Sequence, residues 1–355
     1  MISTITRYAK ITPTSNRIMP KYVSLAFVAV VSMVNVLTFH MFDLKRLAEE
    51  NNSVAIISVK RKQPLADARI HDSDCNLLPE SDAPSPVILM ALGRSGSSIT
   101  WDTMSQLTGQ RNTAYEVTGG NTNNSKAFFK DLETNPYVGH DWAIKRLCHI
   151  QQNRPDILSD AGIAGFQWKP YMSSFDHEYA IEGLREIAAH RNPAIRVVYL
   201  TRNALDTRIS NIRHTNSKQS GKAITAHCFM GDEECIKNHS QFVTSIVFPT
   251  GQEVLGWLRS TVDKENKVRK RLSDLGVHFV EVSYEKLYNS NDAEEWMSIF
   301  RFLGKGPSEG LTMGDVRASF SMASTHTKSR NETIANFEDV RETLVGTQFE
   351  HLLVD

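Results

Sequence analysis

The chain has 355 residues, enough for one large domain or two small ones at roughly 150 residues each. Its 41% hydrophobic and 23% charged residues exclude a disordered, collagenous or many-pass membrane protein. Forty basic residues balance forty acidic ones, so the strongly basic surface of a dedicated nucleic-acid-binding protein is missing. Four cysteines, Cys75, Cys148, Cys228 and Cys235, are too few for a disulfide scaffold and lack the C-x-x-C spacing of a structural zinc site, so no metal is expected.

Arg7, Lys10, Arg17 and Lys21 precede the first acid, Asp43. Between them Tyr22 to Phe42 runs 21 residues without a formal charge, which as a helix spans roughly 30 Å, the hydrocarbon thickness of a bilayer. Short loops rich in Lys and Arg stay cytoplasmic, so residues 1–21 are expected as a cytoplasmic tail, 22–42 as a signal anchor, and the rest as lumenal, a single-pass type II topology. A cleaved signal peptide and an organelle transit peptide compete with the anchor, the latter because the first 21 residues are acid-free and rich in Ser and Thr. Four N-x-[ST] sequons, at Asn51, Asn123, Asn238 and Asn331, all lie beyond the apolar segment, as a lumenal domain permits. An oxidising lumen would also let Cys228 and Cys235 bridge the loop CFMGDEEC, and Cys75 and Cys148 pair at longer range; free buried cysteines are the alternative.

Asp43 to Pro86 mixes charge, Asn, Ser and Pro without periodicity and ends in ESDAPSP, where prolines discourage a helix, so 43–86 reads as a stem or linker. At Val87 the character changes. VILMAL is the continuous apolar run of a strand buried on both faces, and GRSGSSITWDTMSQL behind it offers two glycines, three serines and then apolar residues at helical spacing. A strand, loop and helix in this order point backbone N–H groups and the positive end of a helix dipole into one concavity, the requirement for holding a phosphate or sulfate. Arg94 adds a fixed positive fork. The segment departs from G-x-x-x-x-G-K-[ST], which disfavours a Walker-type ATPase or kinase.

Further along, GFQW reads as a strand, HEYAIEGLREIAAH as an amphipathic helix with His177 and His190 at its ends, and RVVYLTRNALDTRISNIRH as a second strand leading into a helix. Arg202 falls at the carboxyl end of that strand, outside which ligands bind in open α/β sheets, so Arg202 and Ser210 are placed to clamp a second phosphate. A salt bridge from Arg202 to Asp206 is the competing reading. Residues 218–250 read as an irregular insertion. KENKVRKR, Lys264 to Arg271, reads as the solvated face of a long helix, and most of the five tryptophans are expected in the core. The pattern as a whole predicts three layers, with a mainly parallel sheet of strands near 87–92, 163–168, 196–201 and 277–282 and helices on both faces.

GRSGSS at Gly93 to Ser98 and VVYLTRNALDTRIS at Val197 to Ser210 resemble the two phosphate motifs of the nucleotide-dependent sulfotransferases. The first is similar to the form common among Golgi carbohydrate sulfotransferases, where Arg replaces the Lys of cytosolic relatives. VSYEKLY followed by EEWMSIFRFLG, and then HTKSRNETIANFEDV and LVGTQFEHLL, resemble the family's closing segments, so the likeness runs from Val87 to the end. The resemblance implies a P-loop-like three-layer α/β domain over 87–355, preceded by one N-terminal transmembrane helix, that transfers a sulfuryl group from 3′-phosphoadenosine 5′-phosphosulfate (PAPS) to a hydroxyl and releases PAP, without metal or covalent intermediate. Arg94, Ser95, Gly96, Ser97 and Ser98 would hold the 5′-phosphosulfate, and Arg202 and Ser210 the 3′-phosphate. Lys328 and Arg330 resemble the late basic residues that reach that phosphate in relatives. By placement Glu116 in NTAYEVTGG matches the acceptor-side glutamate of several members and is the candidate base, although Gly119 and Gly120 follow where some relatives carry proline. Lys169, at the end of the GFQW strand, is the candidate for steadying the transferring group, in competition with Lys145 and with a solvated role before Pro170. The implied acceptor is a carbohydrate, with a protein tyrosine or a lipid as the alternative; an idle nucleotide-binding module and a metabolite kinase are the remaining rivals. The implied setting is the Golgi membrane, with no nucleic-acid partner.

Overall fold

Ser85–Ala91, buried along its whole length, forms β1 at the centre of the sheet. The computed structural model describes residues 75–79, 83–109, 116, 129–130, 132–133, 141–152, 162–171, 175–219, 228, 230–241, 246–248, 251–320, 322 and 329–354. Its elements are β1, α1 (Ser97–Leu107), α2 (Trp142–Gln152), β2 (Ile163–Trp168), α3 (Glu178–Ala189), β3 (Arg196–Thr201), α4 (Ala204–Gln219), α5 (Glu233–Gln241), α6 (Gly251–Asp274), β4 (Phe279–Ser283), α7 (Tyr284–Tyr288), α8 (Glu294–Leu303), α9 (Met313–Ala318), α10 (Arg330–Thr333) and α11 (Phe337–Leu344), followed by a 3₁₀ turn at Glu350–Leu353. The expected anchor at 22–42 lies outside the described residues. Among the described residues no helix is long and apolar enough to cross a membrane.

The four strands pair in parallel in the order β2-β1-β3-β4. Alternation along β1 sends Ile88 and Met90 to one face and Val87, Leu89 and Ala91 to the other, as the two-residue period of a strand requires. The first face is covered by Trp142 and Leu147 of α2, Leu184 and Ile187 of α3, and Val268 and Leu272 of α6. Trp101 and Met104 of α1, Trp296, Ile299 and Phe300 of α8, and Val316 of α9 cover the second. A third cluster joins Leu205 of α4, Leu258 of α6, Leu344 of α11 and Leu352 of the terminal turn. The α/β architecture with helices on both faces is thus the one expected.

β2 and β3 occupy the expected positions, and β1 begins two residues before the expected boundary at Val87. β4 starts at Phe279 rather than 277 because Val277 belongs to the cap of α6. Gly276, at φ 69°, donates to Ser273 O, and Val277 donates to Leu272 O, both at 3.0 Å, a Schellman closure that needs a left-handed residue. The expected irregular insertion at 218–250 contains α5, started by Asp232, whose Oδ1 accepts from Cys235 N at 2.9 Å. That cap was legible in the sequence as Asp-Glu-Glu before an apolar residue.

Both disulfides are formed, Cys75–Cys148 and Cys228–Cys235, with Cα–Cα distances of 5.9 and 5.5 Å. The first fastens the residues before β1 to α2, where Gln151 also accepts from Leu78 N at 2.8 Å and donates to Pro84 O at 3.0 Å. Part of the expected stem is therefore docked on the domain, and all described residues fall in one unit, Leu65–Asp355. His177 and His190 cap the two ends of α3. The basic run on α6 is ion-paired at the surface, Lys267 and Arg271 with Asp176 and Arg269 with Glu281. Trp101, Trp142, Trp168 and Trp296 are buried and Trp257 is half-buried. Asn331 is exposed.

α2 runs antiparallel to the strands: Trp142 at its start meets Trp168 at the end of β2 (centroids 5.1 Å apart), while Gln151 at its end reaches the residue before β1. Trp142 packs against Gly183 of α3, where a β-carbon would lie 2.6 Å from the indole Nε1. That nitrogen donates to Tyr179 O at 2.8 Å, and Phe129, Phe166 and Trp168 surround the ring. Gly183→Ala is therefore expected to destabilise the fold by about 1–3 kcal/mol through overpacking, although Ala is the better helix former. A thermal unfolding midpoint equal to or above that of the wild type would contradict this packing.

Candidate active site

The chain winds from β1 to β2 on one side and then crosses to β3 on the other, so a crevice opens at the carboxyl ends of β1 and β3, the switch point of an open parallel sheet. Leu92 to Gly96 turn sharply there. Ser95 Oγ donates to Leu92 O at 2.8 Å. Arg94 takes the left-handed region at φ 69°, as does Gly96 at φ 82°, an uncommon conformation for a residue with a β-carbon. Gly96 is the N-cap of α1 and provides no side-chain cap, leaving the first-turn N–H groups, those of Ser97 and Ser98 among them, to another acceptor.

The two sequence motifs meet here. Arg94 Nε donates to Ser210 Oγ at 3.1 Å, and Arg202 Nη1 donates to Arg94 O at 3.1 Å. Residues more than 100 positions apart thus share one cluster. Burial pulls the Arg94 guanidinium below its ordinary range, and the charge of Arg202 pulls it the same way. Arg202 lies over the Tyr284 ring at 4.3 Å, and its Nε is buried without a hydrogen-bond partner.

Asp206 is not the partner of Arg202. Arg330 grips it with Nε and Nη2, each at 2.8 Å, and donates from Nη1 to Val354 O. This also corrects the expectation for Arg330. Its planar fork is committed to a half-buried carboxylate, which holds the C-terminal segment on α4, with Arg213 donating to Thr333 Oγ1 at 3.1 Å and Asn203 Nδ2 to Leu352 O at 3.3 Å. Lys328 lies outside the described residues.

Lys169 follows β2 and is buried, 4% exposed, which overturns the solvated reading. Its Nζ donates to Ser97 Oγ, lies 3.4 Å from Gln167 Oε1, and stands 3.7 Å from Glu116 Oε1. Burial pulls this ammonium down to about 8; Glu116 opposes the shift and Arg94 adds to it. Glu116 reaches the site through an isolated parallel bridge to Gln167. Lys145, the rival of Lys169, is paired at 3.0 Å with Asp141, the residue before its own helix.

Sequence reasoning missed Tyr171, Tyr284 and Glu285. Tyr171 packs on the loop, since a β-carbon at Gly93 would lie 2.8 Å from its hydroxyl, and burial, then Glu116, raises its phenol. Glu285 Oε1 accepts from Asn203 N at 2.9 Å and so shapes the turn that carries Arg202. The available signal was positional: every parallel strand's carboxyl end feeds the crevice, and Tyr284 and Glu285 stand directly after β4.

Two arginines and a lysine gathered in a buried crevice, with an orphaned Arg202 Nε and an uncapped helix start, fit a ligand carrying more than one oxyanion. Among the described residues no cluster of three or more His, Cys, Asp or Glu side chains could hold a metal ion. These features define an α/β protein whose switch-point crevice gathers positive charge. The sulfotransferase domain model matches residues 84–351, and the chain belongs to that family, whose chemistry is sulfuryl transfer to a hydroxyl-bearing acceptor. No curated protein matches the chain.

Arg330→Ala should lower stability by about 1–3 kcal/mol, because half-buried Asp206 would lose its cation and Val354 O its donor. Chemical denaturation showing less than about 1 kcal/mol of loss would return Arg330 to the ligand-binding candidates.

Proposed function

We propose that this protein is a PAPS-dependent sulfotransferase acting on a carbohydrate hydroxyl, anchored by residues 22–42 with its catalytic domain in the Golgi lumen. The observation that carries the donor assignment is the contact between Arg202 Nη1 and the Arg94 carbonyl, because it makes one crevice of both phosphate motifs. The residues fit the donor's two anionic ends: Arg94, Ser95, Gly96, Ser97 and Ser98 at the phosphosulfate, Arg202 and Ser210 at the 3′-phosphate. The Arg-containing form of the loop supports the carbohydrate class, and the two disulfides support an oxidising compartment.

In this reading Glu116 takes the proton of the acceptor hydroxyl as its oxygen bonds to sulfur, while the bond from sulfur to the bridging phosphate oxygen breaks in line. Arg94 and the first-turn N–H groups of α1 hold the charge left on the departing nucleotide. Lys169, between Ser97 and Glu116, donates to a sulfuryl oxygen and steadies the charge that shifts during transfer.

Arg94→Ala and Arg202→Ala should each weaken PAP binding by roughly 1.5–3 kcal/mol, the worth of a charge-assisted hydrogen bond; calorimetry showing unchanged affinity in both would refute the site. Glu116→Gln should bind PAP normally and lose about 10²-fold or more of turnover. Lys169 donates only while protonated, so turnover should fall as pH rises through about 8, and Lys169→Arg should shift that limb upward; a limb unmoved by the substitution assigns it to another group. The acceptor class is tested by transfer of labelled sulfate to glycans, tyrosine peptides and lipids. Transfer to peptide or lipid alone would replace the carbohydrate reading.

A further inference from the structure

We propose that Gln167 is a positioning residue of the acceptor side, its amide oxygen aiming the Lys169 ammonium between Ser97 and Glu116. The inference rests on the transfer chemistry proposed above and adds a residue to it. Phe166 and Trp168, on either side of Gln167 in β2, enter the core on the first face of the sheet. The two-residue period of a strand therefore turns Gln167 to the second face, where α1 packs. Its register partner on β1 is Leu89, and Leu89 and Ala91 are buried and apolar on that face. An amide only 1% exposed among such neighbours needs a reason, and Lys169 supplies one. Two positions further on, Lys169 Nζ donates to Ser97 Oγ at the start of α1, and Gln167 Oε1 accepts from the same nitrogen at 3.4 Å. That contact is long, as catalytic hydrogen bonds commonly are before a ligand fills the site.

The backbone of the same residue sets the position of the base. Gln167 makes the parallel bridge to Glu116, whose Oε1 stands 3.7 Å from Lys169 Nζ. Main chain and side chain of one residue thus hold carboxylate and ammonium beside each other. Only half of the amide is used: among the described residues Nε2 is buried without a hydrogen-bond partner. An unpaired buried donor destabilises a fold, and an apolar side chain of similar shape removes that cost. Gln167 is therefore a residue that lowers stability in order to offer Lys169 an acceptor, a conflict expected at functional positions. Glu116 and Arg94 of the loop are the charged groups that act on the ammonium, while the phenol of Tyr171 is raised and stays neutral. An oxygen that accepts from an ammonium favours its protonated form. Removing the Gln167 amide therefore moves the titration of Lys169 down, and a carboxylate in its place moves it up.

Titrations of the full chain with PAPS and with PAP across the pH range, on the wild type, Gln167→Met and Gln167→Glu, test this without an acceptor, each protein with its unfolding midpoint. PAPS carries the sulfuryl group and PAP does not, so the ratio of the two affinities isolates the group that Lys169 meets. In the wild type that ratio should fall as pH rises through about 8. Gln167→Met should unfold at the same or a higher temperature and bind PAP within about twofold of the wild type. Its PAPS affinity should be about threefold to tenfold weaker, with the fall in the ratio about half a pH unit lower. Gln167→Glu should move that fall upward. A Met variant with an unchanged ratio and an unmoved fall would overturn the role. So would a Met variant that is less stable than the wild type or does not fold, since the residue would then be structural. A wild type that binds neither nucleotide would defeat the donor reading, and a ratio flat through about 8 would defeat the part given to Lys169. A wild-type fall that the Met variant leaves in place would defeat only the part assigned to Gln167.

Discussion

Two half-buried guanidinium groups of like charge held in one crevice are the constraint around which this molecule is organised. Arg94 and Arg202 leave water at the ends of neighbouring strands, and their hydrogen bonds go to neutral oxygens, Ser210 Oγ and the Arg94 carbonyl. Desolvation and mutual repulsion both work against such an arrangement. It persists because rigid elements impose it, and under the proposed function a polyanionic donor would relieve it.

The fold brings this about by simple means. Parallel pairing of β1 with β3, in the register Ala91 to Leu200, brings the loop after one strand beside the turn after the other. Gly96 lets that loop enter α1 without a side-chain cap. Asp206 is kept from neutralising Arg202 because Arg330 holds it, and through the same contact the C-terminal segment closes over α4. Asp206 lies in the first turn of α4, four residues from Arg202, and would otherwise be free to pair with it.

The acceptor side is organised differently. Lys169 touches Ser97 of the donor loop and faces Glu116 across 3.7 Å, so one ammonium links the groups assigned to leaving-group and proton chemistry. Burial brings its titration down to about 8.

The sequence alone determined the class. The continuous apolar run at 87–92 and the strand patterns at 163–168 and 196–201 announce the sheet, glycine and serine after the first announce an anion loop, and Arg202 after the third announces its counterpart. Such signals are legible because they are local: backbone period, turn chemistry and residue type lie within a dozen positions of one another. Only the tertiary structure decided which charges are spent and which remain for a ligand. The sequence offers Asp206 four residues from Arg202, at helical spacing, yet the acid is taken by Arg330, 124 residues away. It likewise gives no sign that Lys169 is buried or that Tyr284 lies beneath Arg202. Burial and long-range pairing are set by which strand ends and chain termini the sheet order brings together, and no local pattern encodes that distance.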